Sequence, residues 1–137
     1  MQTWNEALHH FSHVTDRLGK TIDPGILETV VVFNLLGMTT LQSCEGHSSW
    51  GTPYPWICIE ADLHQKHRLY QYLAAFYAHR RTVSFDCMLS CNAAKFRLCS
   101  QGATLSELWT EEEQCEKLAI YQAEMRDFTC FLKALIL

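Results

Sequence analysis

Residues 38–60, MTTLQSCEGHSSWGTPYPWICIE, decide how this chain folds. Met38 to Ser43 reads as a short strand, and Trp56-Ile57-Cys58-Ile59-Glu60 reads as a second. Between them, residues 44–55 carry two Gly, two Pro and two Ser, the composition of a loop. A strand, a loop and a strand with helical periodicity on both sides point to an α+β domain.

Upstream, Trp4, Leu8, Phe11, Val14 and Leu18 form a helical stripe over residues 3–18, closed by Gly19. Asp23-Pro24 is an N-cap followed by Pro at the first helical position, so a second helix runs from Pro24 to about Leu36 and stops at Gly37. Its Val30-Val31-Val32-Phe33 run is apolar on all sides, which predicts a central helix. Downstream, Asp62-Leu63-His64-Gln65 resembles a capping box and opens a third helix to about Arg80. Thr82 to Ser90 alternates Val83, Phe85, Cys87 and Leu89 and predicts a half-buried strand. Asn92 marks a turn, Phe96 to Cys99 another strand, and Gln101-Gly102 its end. Two capping boxes then compete, Thr104 with Glu107 and Thr110 with Glu113, before a long final helix over about 111–135. The predicted order is ααβ-loop-β-α-β-β-α: a mainly antiparallel sheet of sequential hairpins with helices packed on one face. No linker, repeat or low-complexity segment interrupts it, so residues 1–137 read as a single domain.

Of the 137 residues, 48% are apolar, enough for a sizeable core without staples. The formal net charge of −4 argues against nucleic acid as a partner, because phosphate binding rests on clustered Lys and Arg. A small anionic ligand held locally is compatible with it. No stretch is long and apolar enough to span a membrane. Met1-Gln2-Thr3-Trp4-Asn5-Glu6 lacks the basic and apolar regions of a signal peptide, so a cytoplasmic location is expected. In that compartment the seven cysteines read as small hydrophobes, not as a disulfide framework. Cys58, Cys87, Cys99, Cys115 and Cys130 all lie in apolar patterns; Cys44 lies between polar residues and a Gly.

Ser43-Cys44-Glu45-Gly46-His47 concentrates a thiol, a carboxylate and an imidazole at a strand end. Gly46 permits the tight turn that would point Cys44 and His47 the same way. A Cys and a His at this spacing offer a metal half-site or an activated thiolate. Glu45 is placed to orient the imidazole or to act as a general base. Trp50, Tyr54 and Trp56 supply aromatic walls for a planar ligand. Ser43, Cys44, Glu45, His47, Trp50, Tyr54 and Trp56 are thus the candidate ligand-binding residues. The alternative is that the loop merely turns the chain, with Cys44 packed inside.

Ile22-Asp23-Pro24 through Asn34, Thr39-Thr40, Ser43-Cys44-Glu45-Gly46-His47 and Pro55-Trp56-Ile57 resemble a family of small, uncharacterised bacterial proteins. Its signature is an S-C-E-G-H loop followed by P-W-I/V. The resemblance covers most of the chain, including the helix from Tyr121 to Lys133, and implies no assigned activity. More distantly, the chain is similar to the tRNA wybutosine-synthesising methyltransferases. These share a helix after an aspartate, an Asn near its end, a Thr-rich strand and an S-C-S-G-R loop. Ser43, Cys44 and Gly46 match that loop; Glu45 and His47 depart from it. In that family the region handles a modified guanine with S-adenosylmethionine, so the resemblance implies a related fold and a nucleotide-like ligand.

Two further patterns bear on function. His64 and His67 share a face of the third helix, and with Cys44 and His47 they would complete a tetrahedral zinc site; otherwise they are solvated. His9 and His13 read as surface residues. On the last helix, Leu118, Tyr121, Met125, Phe128, Leu132 and Leu135 form a narrow heptad-like seam. Some 26 residues give about 39 Å, longer than the sheet they would cover. The seam therefore either packs within its own domain or forms a homodimer. Two function classes follow: a small-ligand-binding or transferase-like domain built around residues 43–56, or a non-enzymatic interaction module, zinc-stabilised or not, that associates through its last helix. No residue pattern singles out a cofactor or a reaction.

Overall fold

The two strands of the deciding stretch pair antiparallel, β1 (Thr40–Cys44) with β2 (Trp56–Ile59), placing Cys44 opposite Trp56 and Thr40 opposite Ile59. The computed structural model describes residues 2–80, 83–92 and 96–137. Around β1 and β2 stand α1 (Trp4–Ser12), α2 (Pro24–Leu35), α3 (Leu63–Ala78), β3 (Leu89–Asn92), β4 (Arg97–Ser100), a 3-10 helix (Gln101–Leu108) and α4 (Glu111–Ile136). The chain is α+β, with an antiparallel four-stranded sheet and a long C-terminal helix, as expected. The strand order is β1-β2-β4-β3: α3 carries the chain across, and the second hairpin docks through β4.

Alternation along the strands separates two faces. Ile57, Ile59, Leu89, Cys91 and Leu98 are buried and join α2, α3 and α4 in one core, with Val30, Phe33, Leu69, Phe76, Met125, Phe128 and Leu132. Trp56, Cys58, Arg97 and Cys99 are half-buried on the opposite face. The apolar run of α2 is enclosed as predicted, with Val30, Val31, Val32 and Phe33 at 2% exposure or less.

Several boundaries differ from the sequence reading. α1 ends at Ser12, not near Leu18. Asp16 closes a tight turn instead: its Oδ1 accepts the Leu18 and Lys20 N–H groups at 2.8 and 2.9 Å, and Thr15 bridges Thr21. A short carboxylate bonding its own backbone outcompetes helix propagation. The expected strand from Thr82 to Ser90 begins only at Leu89, and Thr82 lies outside the described residues. Residues 84–88 form a turn in which Cys87 N–H and Met88 N–H reach the Ser84 carbonyl, leaving Phe85 exposed. Asp62 caps α3 alone, because Gln65 Oε1 instead accepts Thr39 N–H at 2.8 Å. Of the competing boxes, Thr110 with Glu113 starts α4 and has both bonds, whereas Thr104 lies in the unforeseen 3-10 helix.

The α4 seam belongs to the monomer. Tyr121, Met125, Phe128 and Leu132 are at most 2% exposed within one chain, so the homodimer expected through them has no such surface; Leu135 alone of that stripe is exposed. Polar ties reinforce the same face. Buried Glu124 accepts from Arg80 and from the Tyr77 hydroxyl, and Thr29 bonds Thr129 across α2 and α4 at 2.7 Å. No disulfide links the cysteines of the described residues; Cys87 and Cys91 are buried, with thiols pushed up to about 11 by burial. Cys115 and Cys130 are exposed, against the reading of their apolar context, because they fall on the outer side of α4.

These contacts set stability. Phe128→Ala should cost about 3–5 kcal/mol in urea denaturation, and Phe128→Glu should abolish cooperative unfolding. Leu135→Glu should change stability by less than about 0.5 kcal/mol. A folded Phe128→Glu protein would refute the internal seam. At Asp86, burial raises the carboxyl pKa, but hydrogen bonds from Tyr121 (2.7 Å) and Lys117 (3.1 Å) outweigh it and hold the group below its ordinary range. Its stabilisation is therefore present above the unfolded value and lost as pH falls through the folded one. Asp86→Asn should remove that part of the acid limb in pH-dependent denaturation, a small part because the side chain is 41% exposed.

Candidate functional site

β1 is an edge strand, and the chain leaves it through Gly46, whose φ is +90°. A Cβ there would sit 2.5 Å from Leu118 Cδ1 and 2.8 Å from the Tyr54 carbonyl carbon, so both backbone and packing require glycine. The loop then closes on itself: His47 N–H donates to the Thr52 carbonyl at 2.8 Å, and Trp56 Nε1 donates to Thr52 Oγ1 at 2.9 Å.

The start of α2 locks onto this loop reciprocally. Asp23 makes no side-chain cap bond to its own helix; its Oδ2 accepts Glu45 N–H at 3.1 Å. Glu45 Oε1 in turn accepts Gly25 N–H at 2.9 Å, a carboxylate at the positive end of α2. From the other side, Gln122 Nε2 on α4 donates to the Glu45 carbonyl at 2.9 Å.

Held this way, Asp23, Cys44 and His47 converge. Their donor atoms all lie within 4.8 Å of one another. His47 Nε2 is 3.4 Å from Asp23 Oδ2, close enough for a charge contact, but this buried nitrogen makes no hydrogen bond. Cys44 Sγ accepts from Gly46 N–H at 3.3 Å and from the Thr52 hydroxyl at 3.5 Å. The His47 ring stacks on Trp50 at 3.7 Å and 15°. Lys20 Nζ lies 3.5 Å from Asp23 Oδ1 and 5.2 Å from the Trp50 ring centroid. Burial alone would raise the Asp23 carboxyl pKa; the Glu45 N–H, Lys20 and His47 outweigh it and hold the group below the ordinary carboxylate range.

These groups border a cavity of about 550 Å³ between the end of α1, the 15–23 turn, β1 and the loop. Ser43, Cys44, His47, Trp50 and Trp56 line it, as do Phe11, Lys20, Asp23 and Thr52. Glu45 does not; it faces a cleft of about 200 Å³ toward α4, and its carboxylate is engaged by Gly25 rather than by His47. Tyr54 also stays outside, beside Arg97, whose guanidinium carbon lies 4.1 Å from the Trp56 ring centroid. His64 and His67 are exposed on α3 and do not join the close donor group found among the described residues. The geometry explains their separation: α3 follows the Ile59 end of β2, whereas Cys44 pairs with Trp56 at the other end.

The sequence reading missed Asp23 as a site residue. It was legible as a helix cap, but its partners lie 22 and 24 positions away, beyond any local pattern. Comparison with protein-family models, curated proteins and solved structures gives no match.

Gly46→Ala tests the loop's packing. It should destabilise by more than Gly19→Ala, which shares a positive φ of +79° but meets nothing within 4 Å. Positive φ alone costs about 1–2 kcal/mol; the extra loss at Gly46, read from urea midpoints, reports the contacts with Leu118 and Tyr54.

Proposed function

We propose that the chain is a small-molecule-binding domain whose ligand enters the cavity beside β1. The observation that carries this reading is the pairing of an apolar-walled cavity of about 550 Å³ with a buried His47 Nε2 that makes no hydrogen bond, beside Asp23 and Cys44. Binding sites are typically concave and apolar, with a few convergent polar groups that fix orientation. An unmet buried nitrogen costs about 1–3 kcal/mol, a cost that a bound group contacting it would relieve. Trp56 and Trp50 offer flat walls, which favours a planar ligand. Lys20 lines the mouth paired with Asp23 Oδ1, so it meets an anionic substituent only when that exposed pair opens. The distant resemblance of the Ser43-Cys44-x-Gly46 loop to the wybutosine-synthesising methyltransferases supports a nucleotide-like, purine-sized body. The interaction-module alternative loses its main surface, since the α4 seam is core.

Titrating a panel of nucleosides, nucleotides and heteroaromatic carboxylates while recording indole N–H resonances tests the reading. The expected result is a saturable shift at Trp50 and Trp56, with Trp4 and Trp109 unmoved. A panel that leaves all four unmoved would sink it. Trp50→Ala should weaken binding of any hit by about tenfold, about 1.4 kcal/mol, without changing the fold.

A further inference from the structure

The geometry points to a divalent transition-metal site formed by Asp23 Oδ2, Cys44 Sγ and His47 Nε2, with zinc the ion that the donor set fits. The inference rests on reading the cavity as a binding site, and it gives that site its polar anchor. A carboxylate oxygen, a thiolate and an imidazole nitrogen make a borderline-soft set; magnesium and calcium take oxygen ligands, whereas zinc accepts all three types. Tetrahedral bonds of about 2.0–2.3 Å place ligand atoms about 3.3–3.8 Å apart. The His47–Asp23 pair already meets that spacing at 3.4 Å, and the whole set lies within 4.8 Å, so the sulfur has at most about 1 Å to close.

The atoms behind the donors suit the same role. The 3.4 Å approach of Nε2 to a carboxylate oxygen without a hydrogen bond matches the spacing of two ligands to one ion. Gly46 N–H and the Thr52 hydroxyl point at Cys44 Sγ and would stabilise its thiolate, while Glu45 N–H orients the Asp23 oxygen. Stacking on Trp50 fixes the imidazole plane. Lys20 approaches the other carboxylate oxygen, Oδ1, and is 56% exposed, so it can stay there or swing to solvent as the ion enters. On binding, the Cys44 thiol proton leaves to solvent and a sulfur–metal bond forms. Three protein ligands leave the fourth position to the cavity, the arrangement of sites that coordinate a water or a ligand.

The test uses the metal-free, reduced full chain and Co²⁺ as the probe. The expected result is one ion per chain, with an intense sulfur-to-cobalt absorption in the near ultraviolet and the visible bands of tetrahedral cobalt, both displaced by Zn²⁺. Cys44→Ser should abolish the ultraviolet band, and Asp23→Asn and His47→Ala should weaken binding by at least tenfold. Cys58→Ser and the double variant His64→Ala, His67→Ala should bind as the parent does. Circular dichroism checks each fold. Should a site variant unfold, a Zn²⁺-induced shift of the His47 imidazole resonances in the unaltered protein decides instead. No sulfur-to-cobalt band, or one that persists in folded Cys44→Ser, overturns the site. Repeating the ligand panel with metal-free and Zn²⁺-loaded protein separates the two readings: ligand binding without metal uptake overturns only the metal site, and metal uptake with no ligand response overturns only the ligand reading.

Discussion

A helical run that is apolar on every side has to be covered on every side, and residues 30–33 of α2 impose that constraint on the elements around them. Val30, Val31, Val32 and Phe33 leave no polar face for water, so α1, β1 and α4 all pack against the same twelve-residue segment. Burying each large apolar side chain contributes about 1.5–3 kcal/mol, so displacing any one neighbour uncovers several at once. Phe33 meets Phe128 edge to face at 6.2 Å, which ties α2 to the centre of α4. Thr29, the polar residue in this wall, is answered by Thr129. With α2 fixed, its N-terminus has one position available, beside the end of edge strand β1.

That position accounts for the site. The first turn of a helix carries unpaired N–H groups and a partial positive charge. The Glu45 carboxylate takes one of them through Gly25, and Asp23, the residue just before the helix, takes the Glu45 N–H in return. The two acids thereby exchange the roles that the sequence gives them. Glu45, inside the motif, is structural. Asp23, outside it, faces the imidazole. A Cβ at Gly25 would lie 3.1 Å from Glu45 Cβ, so the close approach of the two segments is also held by a small residue.

What the sequence revealed and what it hid follow from the range of the interactions involved. The α2 boundaries, the β1–loop–β2 unit and the Thr110–Glu113 start of α4 were legible because caps, glycines and periodicity act within a few residues. The overreach of α1 to Leu18 came from a continued apolar stripe, whereas Asp16 binds its own backbone and leaves Leu18 94% exposed. The strand expected ahead of Leu89 had the same origin: alternation in Val83, Phe85 and Cys87 resembles a pleat, but the Ser84 carbonyl collects two N–H groups and makes a turn. In the site, the motif itself pointed to Cys44 and His47, with Trp50 and Trp56 nearby. Asp23 and Lys20 were beyond reach, because only the docking of α2 on β1 brings them there. Pairing His64 and His67 with the loop failed for the complementary reason, that antiparallel pairing sends β2 away from Cys44 before α3 begins.

The length of α4 was the main argument for a partner copy, and the fold gives that length another use. Its first half braces the site loop and the turn before β3. Leu118 packs on Gly46, Gln122 holds the Glu45 carbonyl, and Lys117 and Tyr121 take the Asp86 carboxylate at the turn before β3. Its second half fills the core with Phe128 and Leu132, and Lys133 then reaches Glu28 at 3.1 Å and the Trp4 ring at 4.3 Å. One continuous helix therefore joins the site loop to the core and to α1. A loop braced from both sides presents its donors in fixed positions, and binding to fixed donors loses less conformational entropy than ordering a free loop. The burial that sets the stability of the core thus also holds Cys44 and His47 in fixed positions on the cavity wall.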